Sequence, residues 1–378
     1  MKKILAVIAA VFLSAAFAVP CAAADIGAAA AVLMDAETGE TLYEKQADEP
    51  MQVASTTKIM TALVVLERCA PEETVRIPAA CAGVEGSSIY LREGETLTVE
   101  TLLYGMLLAS GNDAAEALAL YTAGSEEAFA TLMNERAAAL GCTGTHFVNP
   151  HGLDAAGHHA TARDLALITA AAMENDVFRR IVATKSVTRE GHTFTNHNKL
   201  LWSLPGCIGV KTGYTKSAGR SLVSCAERNG MRLICVTLDD PDDWEDHRAL
   251  YESVFNVRQR IAIDAAHDTW PVPVVSGRAQ TVEASPREQA GLILPADAEP
   301  AFDVRLKKFV YAPVNAGDVL GTLTVTSGGE TLFWTDLVAQ TSVAADDSQK
   351  LTIGERLLRR FGDAVDRLAA RLGYEPEG

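Results

Sequence analysis

Ser55 and Lys58 stand three residues apart at the head of an apolar run, residues 59–66 (IMTALVVL). A run that is apolar all round predicts a buried helix, and a spacing of three puts the lysine amine one turn from the serine hydroxyl on the same face. That pairing gives a nucleophilic serine a base within reach. It also sets Ser55 at a first helical turn, where unpaired backbone N–H groups can stabilise an oxyanion. A serine there is equally an ordinary N-cap. Ser110, Gly111 and Asn112 follow a second segment with an apolar face of Val99, Leu102, Leu103, Met106 and Leu107. A hydroxyl and an amide two apart in a tight glycine turn can enter one cavity, for proton relay and for hydrogen bonding to a substrate. A plain helix C-cap uses the same residue types. Residues 208–215 (IGVKTGYT) alternate like a strand, with Lys211 and Gly213 on one side. The glycine leaves room for a substrate along the strand edge, Lys211 and Thr212 would face a carboxylate, and Thr215 is a further donor. The alternative is a solvated edge strand guarded by its lysine.

Taken singly, each motif has a structural explanation. In the order S-x-x-K, S-x-N, K-T-G they resemble the penicillin-binding protein and serine β-lactamase superfamily. Gly86-Ser87-Ser88, Asp113-Ala114-Ala115 and residues 145–153 (THFVNPHGL) narrow the match. With them the chain is similar to the serine D-Ala-D-Ala carboxypeptidases, the low-molecular-mass penicillin-binding proteins. The resemblance implies that Ser55 attacks the carbonyl between the two D-alanines of a peptidoglycan stem peptide and forms an acyl-enzyme that water hydrolyses. It implies Lys58 as general base, Ser110 as proton relay to the leaving amine, and Asn112 as a holder of the substrate amide. Lys211 and Thr212, with Gly213 and Thr215 beside them, would bind the terminal carboxylate, and the backbone N–H groups of Ser55 and Tyr214 would form the oxyanion hole. Penicillins and other β-lactam antibiotics would acylate the same serine. Lys58 must be neutral part of the time, and burial beside Lys211 would lower its pKa as needed. Arg220 and Arg248 both fit the place of an arginine assisting Lys211. No metal or other cofactor is implied.

Other readings share parts of this pattern. A class A β-lactamase needs a Glu-x-x-Leu-Asn loop, and no such segment lies between Ser110 and Lys211. A transpeptidase would use the same motifs, since water and an amine compete for one acyl-enzyme. A catalytically idle wall-binding scaffold would not need all three motifs intact. A zinc carboxypeptidase is prompted by His146, His151, His158 and His159, but the chain has no HExxH.

The elements that must position these groups come from the rest of the 378 residues. Hydrophobic residues at 48% and charged residues at 22% suit a chain with a sizeable core and exclude a disordered one. A net charge of -16 repels phosphate backbones, which argues against nucleic acid as a partner. Residues 1–24 read as a secretory signal peptide: two lysines, an uncharged apolar stretch, and small residues before Asp25. An uncleaved anchor is the alternative, and Pro20 disfavours a lipoprotein site at Cys21. Export leaves Cys69, Cys81, Cys142, Cys207, Cys225 and Cys235; Cys69 and Cys81 close a short loop, and a disulfide there and buried free thiols stand as equal alternatives.

Ala-rich helical stretches mixed with short β-branched runs predict an α/β or α+β catalytic domain over 25–262, of the β-lactamase/transpeptidase-like kind by the resemblance. The texture then turns to Pro, Gly, Val and Thr, as expected of a small all-β, sandwich-like domain over 263–345. Residues 344–348 read as a polar hinge. Over 346–378, Ile353, Leu357, Leu358, Phe361, Val365, Leu368 and Leu372 form one helical stripe accompanied by Arg356, Arg359, Arg360, Arg367 and Arg371. That suits an amphipathic helix lying on an anionic membrane surface, with docking on protein as the alternative. The expected location is the outer face of the cytoplasmic membrane, on the cell wall side.

Overall fold

The computed structural model describes residues 26–346. The leader over 1–24 and the arginine-bearing stripe over 353–372 lie outside the described residues. The chain divides into two compact units, with the break between Gln259 and Arg260.

The first unit opens with the strand pair β1 (Ala30–Asp35) and β2 (Thr41–Lys45). A 3-10 turn, Ala54–Thr57, leads into α1 (Lys58–Leu66). The pair β3 (Thr74–Arg76) and β4 (Thr96–Thr98) brackets a long loop, after which come α2 (Val99–Leu108), α3 (Asn112–Ala123) and α4 (Glu126–Ala139). α5 (Ala162–Met173), α6 (Asp176–Ala183), the pair β5 (Ser186–Arg189) and β6 (His192–Thr195), and the short α7 (Leu200–Ser203) follow. β7 (Cys207–Thr215), β8 (Gly219–Arg228), β9 (Met231–Leu238) and α8 (Asp243–Phe255) complete the unit.

Five of these strands make one antiparallel sheet in the order β2-β1-β9-β8-β7. An antiparallel strand with one wet face alternates apolar and polar residues; β1 does not, because helices cover both of its faces. Ala30, Val32 and Met34 join the larger core with residues of α1, α2, α3, α5 and α6, whereas Ala31 and Leu33 pack with Leu250, Tyr251, Val254 and Phe255 of α8. Each large apolar side chain so buried contributes about 2 kcal/mol. α1 lies in the middle of the larger core, which accounts for its apolar character on every side. Thr98, Ser125 and Thr161 cap α2, α4 and α5, their hydroxyls accepting from Thr101 N, Ala128 N and Asp164 N.

The cysteines resolve to free thiols: neither Cys69 nor Cys81 is in a disulfide. Cys81 is buried in the larger core, while Cys69 Sγ lies 3.5 Å from Thr122 Oγ1 near the end of α3, so the two serve different neighbours.

The second unit is all β. β10 (Arg258–Ile263) pairs with β13 (Ala290–Pro295), and a six-stranded sheet contains β11 (Trp270–Val275), β12 (Thr281–Pro286), β14 (Ala301–Leu306), β15 (Val310–Tyr311), β16 (Val319–Ser327) and β17 (Glu330–Ala339). Its core draws on Ile263 of the small pair and on Val272, Val282, Leu323, Val325 and Leu337 of the large sheet. The expected hinge begins differently, since Ala345 bridges Gly277 and Arg278 N donates to Ala344 O.

Candidate active site

Ser55 sits in the 3-10 turn that enters α1, and Lys58 is the first residue of α1, so the serine and lysine share one rigid support. The Lys58 side chain is fully buried. Its Nζ donates to Asn112 Oδ1 at 2.7 Å and to the His151 carbonyl at 2.6 Å, and it lies 2.9 Å from Ser55 Oγ. Both carbonyls accept only, so each takes one amine proton. A neutral amine then has its lone pair left for the Ser55 hydroxyl. Burial drives the Lys58 pKa well below the ordinary amine value; the nearby charge of Lys211 pushes the same way and Asp113 opposes.

Ser110 lies between α2 and α3 with φ of 62, a left-handed conformation uncommon outside glycine. Lys211 Nζ donates to Ser110 Oγ at 3.1 Å and to the Thr212 carbonyl at 2.7 Å. Lys211 is 1% exposed, and burial pushes its pKa down to about 7. Two serine–lysine pairs therefore face one cleft. Of about 330 Å³, it is lined by Ser55, Ser87, Ser110, His197, Thr212, Gly213, Tyr214 and Arg220 among others.

β7 is an edge strand of the large sheet and runs beside the Ser55 turn. A Cβ on Gly213 would lie 3.1 Å from Val53 O and 3.2 Å from the Ser55 nitrogen, so the strand approaches this closely only because residue 213 has no side chain. Gly152, at φ +85, is tighter still: a Cβ there would lie 1.9 Å from Ala54 O. That glycine lets the loop carrying the His151 carbonyl press against the Ser55 turn.

Not every expected group stands free for a substrate. The Asn112 amide is already engaged, Oδ1 with Lys58 and Nδ2 with the Glu85 carbonyl at 2.6 Å, so the residue holds the lysine before any ligand arrives. Thr215 Oγ1 donates to Asp154 Oδ1 at 2.9 Å and accepts from Ala218 N. Tyr214 is 67% exposed at the rim. Of the two arginines, Arg220 lines the cleft and is fixed by both oxygens of Asp243 at 2.8 Å; Arg248 instead donates to the Ser203 carbonyl.

A profile of the D-alanyl-D-alanine carboxypeptidases matches residues 17–242. This chain belongs to the D-alanyl-D-alanine carboxypeptidase family. It is, with that family, a serine peptidase. A curated member, the D-alanyl-D-alanine carboxypeptidase DacF of Bacillus subtilis, is 33% identical over 355 residues, 89% of this chain and 90% of its own length. DacC of Escherichia coli is 41% identical over 235 residues, 58% of each chain. Among solved structures, penicillin binding protein 5 of Haemophilus influenzae is 28% identical with a TM-score of 0.62, covering 84% of this chain and 98% of that one. The Streptomyces K15 DD-transpeptidase, as a variant, is 35% identical with a TM-score of 0.58 and covers 60% and 98%.

Some residues of this carboxypeptidase site fell in matching segments without a role of their own. Asp113, 1% exposed, accepts from Ser88 Oγ at 2.6 Å, from Ile89 N at 3.1 Å and from Leu91 N at 3.0 Å, and so fixes the segment that brings Ser87 to the cleft. Its adjacency to Asn112 was the available clue. The four histidines are neighbours without forming a ligand set among the described residues: His158 pairs with Thr57 Oγ1 at 2.8 Å, and His146 and His159 pair through their backbones with ring centroids 6.2 Å apart. Among the described residues, the grouping whose atoms could hold a cation is Glu116, Glu126 and His151, within 4.8 Å of one another. His151 Nδ1 accepts from Leu153 N at 3.2 Å, and burial with the Lys58 charge keeps the ring neutral, its pKa down to about 3. Its proton is therefore on Nε2, toward Glu126 at 3.6 Å, where a metal ligand would need a lone pair.

Proposed function

We propose that the chain removes the terminal D-alanine from peptidoglycan stem peptides, with Ser55 as nucleophile and Lys58 as its base. The observation that carries this reading is the three-way setting of Lys58 Nζ. Two carbonyls take its protons at 2.6 and 2.7 Å, and the Ser55 hydroxyl stands at 2.9 Å. In the first step the Lys58 lone pair takes the Ser55 proton as Oγ bonds the carbonyl carbon between the two D-alanines. The backbone N–H groups of Ser55 and Tyr214 are assigned to the resulting oxyanion. The proton that Lys58 took from Ser55 passes through Ser110 to the leaving amine, which returns Lys58 to its neutral form, while Lys211 keeps its charge and holds the Ser110 hydroxyl at 3.1 Å. D-alanine departs and leaves an ester on Ser55. Water, deprotonated by the same machinery, then cleaves the ester.

Lys211 and Thr212 are assigned to the substrate carboxylate, with Arg220 contributing a second positive charge from the cleft wall, and Thr215 joins them once its hydroxyl turns from Asp154. Lys211 lies buried behind Ser110 of this cleft, and a carboxylate entering beside it stabilises its charged form. Gly213 keeps the strand edge open for the extended peptide. A β-lactam presents a strained amide to the same Ser55 and would remain as a long-lived ester.

Export and membrane attachment complete the reading. Residues 1–24 serve as a leader, residues 25–262 as the catalytic domain and 263–345 as a β domain. The arginine-bearing stripe at the end rests on the outer face of the cytoplasmic membrane. No helix among the described residues is long and apolar enough to cross a membrane. The test is intact-mass analysis after addition of penicillin, followed by D-alanine release from a stem pentapeptide. A persistent adduct that is lost in Ser55→Ala, together with D-alanine release, supports the reading. A folded wild-type protein that takes up no drug would sink it.

A further inference from the structure

One edge of the six-stranded sheet carries an apolar ridge. β15 pairs in parallel with β11, Val310 opposite Val274 and Tyr311 opposite Val275. Val274 and Val310 turn into the core of the unit, so the strand alternation turns Val275 and Tyr311 outward. They are 39% and 67% exposed. Phe309, 48% exposed, sets its ring edge-on against Tyr311 with centroids 5.5 Å apart. Lys307 and Lys308 precede this aromatic pair and Arg278 follows Val275 by three residues, all three exposed. Lys307 Nζ donates to the Val319 carbonyl of β16, so Lys308 and Arg278 are the exposed cations beside the ridge in sequence.

Single exposed aromatics are common, and one alone would carry nothing. This ridge is contiguous, flanked by cations in a chain of net charge -16, and lies where the chain leaves the sheet. Ala345 bridges Gly277, Arg278 N donates to Ala344 O, and Asp346 N donates to Ser276 O at 2.9 Å. The path toward residues 353–372 thus starts beside Val275. We propose that the Val275–Phe309–Tyr311 ridge is a second lipid-contact surface, which seats the β unit on an anionic bilayer next to the terminal segment. Phe and Tyr rings suit the headgroup level, where an apolar body and a polar tip are both satisfied, and the flanking cations meet anionic lipid. Two weak attachments on one chain act together: once the first is made, the second is intramolecular. The inference rests on the membrane reading of residues 353–372.

The experiment is flotation of the full chain with phosphatidylglycerol vesicles and with phosphatidylcholine vesicles. Replacing both rings, Phe309→Ser with Tyr311→Ser, lowers partitioning onto the anionic vesicles roughly tenfold, the expectation for two partly inserted aromatics. Penicillin adduct formation reports that this variant is folded. A second variant, Tyr311→Trp, reports contact directly through a blue shift and quenching of the added indole by brominated lipid. A wild type that binds while the double variant binds equally, with the emission of the added indole unmoved, overturns the ridge alone. A wild type that floats with neither vesicle overturns the ridge and the terminal-helix reading together. Emission of the added indole already shielded without vesicles shows that another part of the chain covers the ridge, and that also overturns the proposal.

Discussion

Lys211 donates to Ser110 Oγ at 3.1 Å, joining residues 101 apart in sequence, and it is the charge of this same lysine that helps to depress Lys58. The two amines are thereby set to opposite tasks. In the proposed mechanism Lys58 sheds its proton and acts as base, while Lys211 keeps its own until about 7 and acts as cation.

A bell-shaped pH profile of kcat/KM follows for D-alanine release. Activity rises with pH as Lys58 becomes neutral, and falls above about 7 as free-enzyme Lys211 loses the charge that draws the substrate carboxylate. Lys211→Ala removes a like charge from beside Lys58, so the rising limb moves to higher pH. Steady-state rates across a pH series for both proteins check this. A rising limb that stays in place in the variant would show that the two amines do not communicate.

Ser110→Ala leaves Ser55 and Lys58 together but takes away the hydroxyl assigned to hand a proton to the leaving amine. Acylation by substrate is expected to fall about 10²- to 10⁴-fold, the usual range for a positioned proton donor. Stopped-flow acylation against binding of a non-reacting peptide separates this loss from a loss of affinity.

Gly152→Ala puts a methyl 1.9 Å from Ala54 O at a left-handed backbone position. The loop must withdraw, and the His151 carbonyl goes with it. Besides about 1–2 kcal/mol for the backbone conformation alone, the variant loses one of the acceptors that orient Lys58. Thermal unfolding and the penicillin acylation rate should both drop; a normal rate in a destabilised protein would detach the loop from the chemistry.

Asp113→Ala strands the Ile89 and Leu91 N–H groups, whose acceptor it is. Buried donors without partners cost roughly 1–3 kcal/mol each, so a total loss of about 4 kcal/mol is expected by denaturant unfolding. Crystals or hydrogen exchange of the variant would show the Ser87 wall loosened first.

The free thiols give a chemical check. Burial pushes Cys81 and Cys142 up to about 12 and Cys207 up to about 11, so these are nearly unreactive while the protein is folded. Thiol titration in denaturant without reductant should count every cysteine from Cys69 to Cys235. A shortfall of two would revive a disulfide.

Much of this site was legible because its groups come as short local patterns. Ser55 with Lys58, and Ser110 with Asn112, are each carried within about one turn of chain, so the spacing alone states which side chains can meet. Strands β9 and β11 were equally plain in Ile234, Val236 and Thr237 and in Val272 and Val274. The remainder depends on long-range pairing that no window shows. The His151 carbonyl on Lys58, the Glu85 carbonyl on Asn112 and Asp154 on Thr215 are partners 93, 27 and 61 residues apart. Two of the three are backbone atoms, which have no identity in the sequence. The disulfide was undecided for the same reason: Cys69 and Cys81 are near in sequence and border one core, and spacing alone does not state that both thiols stay free.

β1 lies between β2 and β9, with Ala30 opposite Leu238. The first strand of the catalytic unit therefore waits for the last. A chain emerging residue by residue, from a ribosome or through a translocation pore, cannot complete the large sheet until residue 238 is free, and β7 cannot be held beside Ser55 before β8 and β9 are in place. Ser55 is then an ordinary hydroxyl for as long as the polypeptide is in transit. Penicillin labelling of the nascent or unfolded precursor should be nil, which makes the drug a timer for the moment at which folding ends and catalysis begins.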